Sequence, residues 1–220
     1  MGNPKKRIMT PSKVDIDNAL QSNEWDFGNK VLYELCAKNF NHKDDDKIIA
    51  KVWLIGRAYA AAIERRRNKT DINDDFYINK VAPLFKNSKL DKLLESIKTE
   101  RKINSENLMK ILSIHYYLMH EIKKITEIEK RSFCSKYLHF HLPELFFIYD
   151  SRALSALRKF SSREPNKFFS QTIAENVDNE YAKFFVKCLV LKNQIEKEYN
   201  LKLTNRQFDK LLISTANSNL

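Results

Sequence analysis

Three glycines and five prolines are all that a chain of 220 residues has for its turns, and this shortage constrains the fold more than any motif does. Tight β-hairpins rely on Asn-Gly, Asp-Gly or Gly-X pairs, because their central residues need positive φ. Glycine and proline punctuate loops in general. So few of either leave little material for a hairpin-rich sheet, and the apolar residues recur instead at three- and four-residue spacing, as on one face of a helix. The expected fold is all-α, a compact two-lobed helical domain. At this length about 70% of the unfolded surface can be buried, so a real core needs no staples.

Residues 1–12 read as a flexible basic tail, 13–214 as a single helical domain with lobes at about 13–103 and 104–214, and 215–220 as a frayed tail. Helices are expected over 29–39, with Val31, Leu32, Leu35 and Cys36 on one side, and over 45–68. In the second, Ile49, Val52, Trp53, Gly56, Ala60 and Ile63 fall on one stripe, and its small residues allow close approach of another element. Further helices are expected over 74–85 and 89–97, over 105–123, in a segment stopped by Pro143, from Asp150 to Phe160, briefly after Pro165, and over 179–199. A last helix is opened by Thr204 and Gln207 at capping-box spacing. "PELFFIY" is expected to cross the core extended.

The formal charge of +11 suggests a polyanionic partner bound through salt-sensitive phosphate contacts, although acids interleave the bases in "ERRRNK" and "EIEKR". Cys36, Cys134 and Cys188 are odd in number, far apart and set in apolar patterns, which supports neither a disulfide framework nor a zinc cluster. No apolar run reaches the roughly 20 residues of a membrane span, and no secretory signal follows the basic start. A cytoplasmic protein without membrane partner, cofactor or metal is expected. His139 with His141, and His115 with His120, lack the i, i+4 spacing of helical ligand pairs. Arg57 and Glu64 read as an ion pair bordering the apolar stripe or as a polar pair in a cleft.

Chemistry concentrates in "ITEIEKRSFCSKYLHFHLPELFFIYDSRA", Ile125 to Ala153: a connection, a helix, a proline stop, an apolar crossing and an acid opening the next helix. Asp150 there reads as an N-cap whose carboxylate accepts first-turn amides. Thr126 and Glu129 have the spacing of a second capping box.

This layout resembles the core of the helix-hairpin-helix DNA glycosylases, the superfamily of 8-oxoguanine DNA glycosylase and endonuclease III, and is similar to bacterial proteins described as having that fold. In that family a hairpin of pattern L-P-G-V-G-x-K-T-A precedes a helix, an apolar crossing and a catalytic aspartate. Ile125 and Ile128 take the apolar hairpin positions, Arg131 the lysine position and Ser132 the threonine position. Glu127 and Glu129 stand where both glycines would be, so the hairpin is degenerate. The resemblance implies a DNA glycosylase, a hydrolase that cleaves the N-glycosidic bond of a flipped, modified or damaged base, with Asp150 as its essential carboxylate. Arg131 cannot be a nucleophile because it stays protonated, so a lyase step would need Lys130; a monofunctional enzyme needs neither. Lys123, Lys124, Lys136 and Arg152 would position double-stranded DNA through its phosphates, and Tyr149 or Trp53 would stack on the extruded base. The alternative is a module that binds nucleic acid or protein on the same scaffold without chemistry, in a setting such as bacterial defence.

Overall fold

The computed structural model describes residues 10–65, 73–160 and 174–217, and every regular element among them is helical. The three cysteines are reduced and buried. No described helix is long and apolar enough to cross a membrane. The short helix expected after Pro165, the far end of the 45–68 segment, residues 1–9 and residues 218–220 lie outside the described residues.

The chain divides into two compact units. The central unit takes its described residues from Ser22–Phe146 and Glu175–Asp178, and the terminal unit takes its own from Met1–Gln21, Phe147–Ala174 and Asn179–Leu220. The boundaries therefore fall at 21/22, 146/147, 174/175 and 178/179, not at 103/104. The cause is packing: residues on both sides of 104 share one core, whereas the first helix finds its partner at the other end of the chain.

In the terminal unit, α1 (Lys13–Leu20) lies against α11 (Asn205–Asn217), which also packs on α9 (Ser151–Phe160); α10 (Asn179–Glu198) packs on α9 as well. Phe147 meets Phe185 and Phe208 edge-on, at ring centroid distances of 5.0 and 5.8 Å. The Tyr199 hydroxyl donates to the Pro11 carbonyl at 2.8 Å, tying the two chain ends together. The expected capping box forms: Gln207 N–H donates to Thr204 Oγ1 at 3.1 Å, and Thr204 N–H to Gln207 Oε1 at 2.9 Å.

The central unit contains α2 (Glu24–Lys38), α3 (Asp45–Ala58), α4 (Asn73–Phe76), a π turn at Tyr77–Val81, α5 (Ala82–Asn87), α6 (Leu90–Glu95), α7 (Leu108–Thr126) and α8 (Arg131–His141). Every residue of α8 from Phe133 to His141 is buried, and the helix packs on α2, α3 and α7. It is the axis of this unit. The π turn precedes Pro83, which cannot donate to the preceding turn and crowds its carbonyl. There Ala82 reaches back to the Tyr77 carbonyl, which widens the coil.

Two expectations for the first half are corrected. α3 stops at Ala58 rather than running to Asn68, because Ala60 adopts φ 51° and the Ala61 amide returns to the Gly56 carbonyl at 2.8 Å. The small residues serve that reversal: a Cβ on Gly56 would meet Ala62 Cα at 3.1 Å. The buried stripe of α3 is Ile48, Lys51, Val52, Ile55 and Gly56, one position off the expected register, which leaves Trp53 half exposed.

Candidate functional site

The α7–α8 connection is built by Thr126 and Glu127. Thr126 Oγ1 sits 2.9 Å from the Ile122 carbonyl and 3.0 Å from that of Ile128, so this residue closes α7. The expected capping box with Glu129 is therefore absent. Glu127 follows in the left-handed region, φ 57° and ψ 15°, with its amide on the Lys123 carbonyl at 2.8 Å. α8 then begins behind Lys130, which supplies no side-chain cap.

The cations of this region all have partners. Arg131 forks onto Asp178: Nε donates to Oδ2, and Nη2 to Oδ1 at 3.0 Å. The two side chains are only 17% and 6% exposed. Glu129 lies 3.5 Å from Arg131 Nη2 and 2.9 Å from Lys123 Nζ. Lys124 pairs with Glu121 at 2.6 Å. Lys130 Nζ donates to the carbonyls of Arg65 and Ala62, and burial pulls its pKa down against the opposing charge of Glu64.

Lys136 departs from its expected role. It is buried, with Nζ 2.8 Å from Ser132 Oγ and 3.3 Å from the Tyr59 carbonyl, which leaves no solvent face for a phosphate. Its place on the most enclosed helix explains this. Beside it, His115 Nε2 lies 3.3 Å from the Arg131 carbonyl, and burial pushes the His115 pKa down to about 4.

In the terminal unit, the crossing that follows Phe146 is held by the first turn of α10. The Tyr181 hydroxyl donates to the Phe147 carbonyl at 2.9 Å, and the Tyr149 hydroxyl to Glu180 Oε1. Tyr149 is buried with its ring centroid 5.0 Å from that of Phe184, so it is a core aromatic rather than an open stacking face. Asp150 caps α9: Oδ1 accepts the Ala153 amide at 2.9 Å, and the Asp150 carbonyl accepts from Leu154 at 3.0 Å. Its Oδ2 takes no hydrogen bond among the described residues. Arg152, on the first turn of α9, is exposed. Asp150 and Arg152 thus belong to the terminal unit, and Lys123, Lys124, Lys130, Arg131 and Lys136 to the central one.

Arg57 and Glu64 do pair, at 2.7 Å, but across the reversal after α3 rather than along a helix; Glu64 also accepts the Tyr77 hydroxyl at 2.6 Å. His139 and His141 enter separate networks. His139 lies 2.7 Å from the Tyr33 hydroxyl and 2.8 Å from the Phe146 carbonyl, and His141 lies 2.8 Å from the Tyr137 carbonyl. Among the described residues, no group of three or more His, Cys, Asp or Glu side chains could hold a metal ion.

Sequence reasoning missed the polar cluster around His42. Its Nδ1 meets Asp91 Oδ1, its backbone amide donates to Asp91 Oδ2 at 3.0 Å, and its Nε2 lies 2.6 Å from the Tyr137 hydroxyl. Lys51 reaches the Asn39 carbonyl at 2.8 Å and His141 Nε2 at 3.3 Å. The one signal for it was a lysine at Lys51, inside the apolar face of α3.

No protein-family model, no curated protein and no solved structure matches the chain.

Proposed function

We propose that the chain acts on double-stranded DNA as a glycosylase-like hydrolase, with Asp150 as its essential carboxylate. The observation that carries this reading is the state of Asp150: Oδ1 is committed to the Ala153 amide while Oδ2 is not hydrogen-bonded among the described residues. A carboxylate so held keeps its orientation and still has an oxygen for a reacting group. In the proposed reaction a flipped nucleotide loses its base as the C1′–N bond breaks. The departing base takes a proton, and water supplies the new C1′–OH. Asp150 would stabilise the oxocarbenium-like sugar or orient that water.

Three further features support the reading. A helix, a crossing without regular structure and a capping acid follow one another from α8 to α9. The α7–α8 turn uses a left-handed residue, Glu127, where the resembling hairpin has glycine. The net charge of +11 favours a polyanion. The partners of Arg131 and Lys130 argue for a monofunctional mechanism, so no borohydride-trapped adduct is expected.

The test is abasic-site formation on a panel of duplexes carrying modified or damaged bases. The wild type should yield product on at least one, and Asp150→Asn, which keeps the capping oxygen, should be slower by roughly a hundredfold or more. Equal product from both would overturn the assignment. A second reading, a binding module without chemistry, is favoured by Glu127 and Glu129, which stand at the glycine positions of the resembling hairpin, Glu129 pairing with Lys123 and Arg131. DNA binding that weakens steeply with salt, with no product on any duplex, would select it.

A further inference from the structure

The His42 cluster carries an inference independent of the proposed function. Its members come from five places in the central unit: Cys36 on α2, Lys51 on α3, His42 in the α2–α3 loop, Asp91 on α6, and Tyr137 and His141 on α8. Lys51, His42, Tyr137 and His141 are buried. The loop is pinned from both sides, since His42 holds Asp91 and stacks on Phe85 at 5.0 Å and on His141 at 5.5 Å, while Lys51 holds the Asn39 carbonyl.

Hydrogen-bond partners and burial together set the protonation of this cluster. The Tyr137 carbonyl can only accept, so His141 Nδ1 must carry the proton toward it. Nε2 is then the acceptor, facing the Lys51 ammonium at 3.3 Å. Asp91 can only accept from His42 Nδ1, and with burial disfavouring a charged His42 ring its Nε2 accepts a hydrogen bond from the Tyr137 hydroxyl. Burial disfavours charge on both imidazoles and pulls the Lys51 pKa down to about 8, so at neutral pH Lys51 is the cation of the cluster. No carboxylate forms an ion pair with Lys51 among the described residues, and Asp91 is already engaged by the His42 ring and amide. A proton added to His141 would set a second N–H against the ammonium in a site closed to water.

We propose that the Lys51–His141 contact is an acid-sensitive latch, which holds the 39–44 loop on α8 with one charge and releases it when acidification imposes a second. Burial pushes both His42 and His141 below the ordinary histidine value of 6.5; Asp91 opposes the shift at His42, while the Lys51 charge adds to it at both rings. The opened loop restores histidines to water, so it binds protons that the closed form refuses. The histidines' contribution to closure is therefore fully present above pH 6.5 and weakens below it, by about tenfold per pH unit for each proton taken up. The Cys36 thiol, pushed by burial up to about 12, stays neutral throughout and supplies no counter-charge.

Amide hydrogen exchange of residues 39–44 in the full chain tests the latch, corrected for intrinsic rates and compared at about pH 7.5 and about pH 5. The wild type should lose roughly tenfold or more of its protection at the acid pH. Two variants should remove most of that loss: His141→Gln, whose amide oxygen still accepts from Lys51 but takes no proton, and Lys51→Met, which deletes the charge. Wild-type protection that is unchanged with pH would overturn the proposal, as would a loss that persists in both variants. If neither variant folds, the wild-type His141 ring is titrated by NMR: titration at the ordinary histidine value with the loop still protected also overturns it.

Discussion

The first turns of α8 and α9 meet the same physical problem with opposite charges. A helix N-terminus presents amides without intrahelical partners and a partial positive charge, so it favours acids and disfavours cations. α9 solves this locally, with the Asp150 carboxylate on the Ala153 amide. α8 has Lys130 and Arg131 there, no acid in its first turn and no side-chain cap. Its cations are satisfied from elsewhere in the chain, by Asp178 for Arg131 and by the Ala62 and Arg65 carbonyls for Lys130. The difference separates structure from candidate chemistry: the charges of α8 are consumed in holding distant segments, whereas the acid of α9 is held by its own helix and retains an oxygen.

The sharpest way to break this comparison is to remove the two acids in turn. Asp178→Ala leaves the Arg131 guanidinium, 17% exposed, without its counter-charge, and breaking such an enclosed pair costs about 3 kcal/mol or more. Urea unfolding measures it. The double variant Arg131→Met/Asp178→Leu should recover most of the loss, since an apolar pair avoids the desolvation of two charges. If Asp178→Ala costs no more than a helix cap, the fork is not structural and Arg131 becomes available for another role.

Acidification probes the same region next. His115 is fully buried against the Arg131 carbonyl, and its pKa falls from 6.5 to about 4 through burial. The unfolded chain therefore binds a proton that the folded one refuses. Stability is fully present above pH 6.5 and is lost as the pH falls toward 4, by up to about 3 kcal/mol. His115→Gln should flatten that part of the pH profile of the urea midpoint; an unaltered profile would mean that the ring is not buried neutral. At α9 the expected effect is smaller: Asp150→Ala should cost about 1 kcal/mol, and Asp150→Asn less, because asparagine also caps. Stability of Asp150→Asn near the wild type, combined with lost excision, is the pattern that separates a catalytic carboxylate from a cap alone.

The two regions were not equally legible in sequence. Helical class, the Asp150 cap and the Thr204–Gln207 capping box follow from short-range rules, and each is present. The same rules contain signals that were passed over. Ser12 and Asp15 exchange capping hydrogen bonds at the start of α1, and Asp26 accepts the Asn23 amide at the start of α2. The partners of α8 could not be read this way, because Asp178 lies 47 positions from Arg131 and no local pattern links them. Lys136 shows the limit most clearly: its polarity suggested a surface, while packing on α2, α3 and α7 made α8 the most enclosed helix. The register of α3 failed for the same reason, since Lys51 on its buried face has acceptors that come from outside the helix.

The smallest expected effect returns to the scarcity of glycine. Three described residues have positive φ, Ala60, Glu127 and Asn200, and none is glycine. Each follows a helix: Ala60 comes after α3, Glu127 after α7 and Asn200 after α10. The left-handed conformation costs an L residue roughly 1 kcal/mol, least for asparagine, and glycine recovers that at the expense of a more mobile unfolded chain. Glu127→Gly should therefore stabilise the protein by about 0.5 kcal/mol, Ala60→Gly by a similar amount, and Asn200→Gly by less, read as shifts in the urea midpoint. On the glycosylase reading, Glu127→Gly has a second consequence, because it removes a negative charge at the turn that would meet DNA. Duplex affinity should then rise while stability rises only slightly. A stabilised variant with unchanged affinity would leave the α7–α8 turn as a helix connection alone, and the contrast between α8 and α9 would become one between a scaffold and a site.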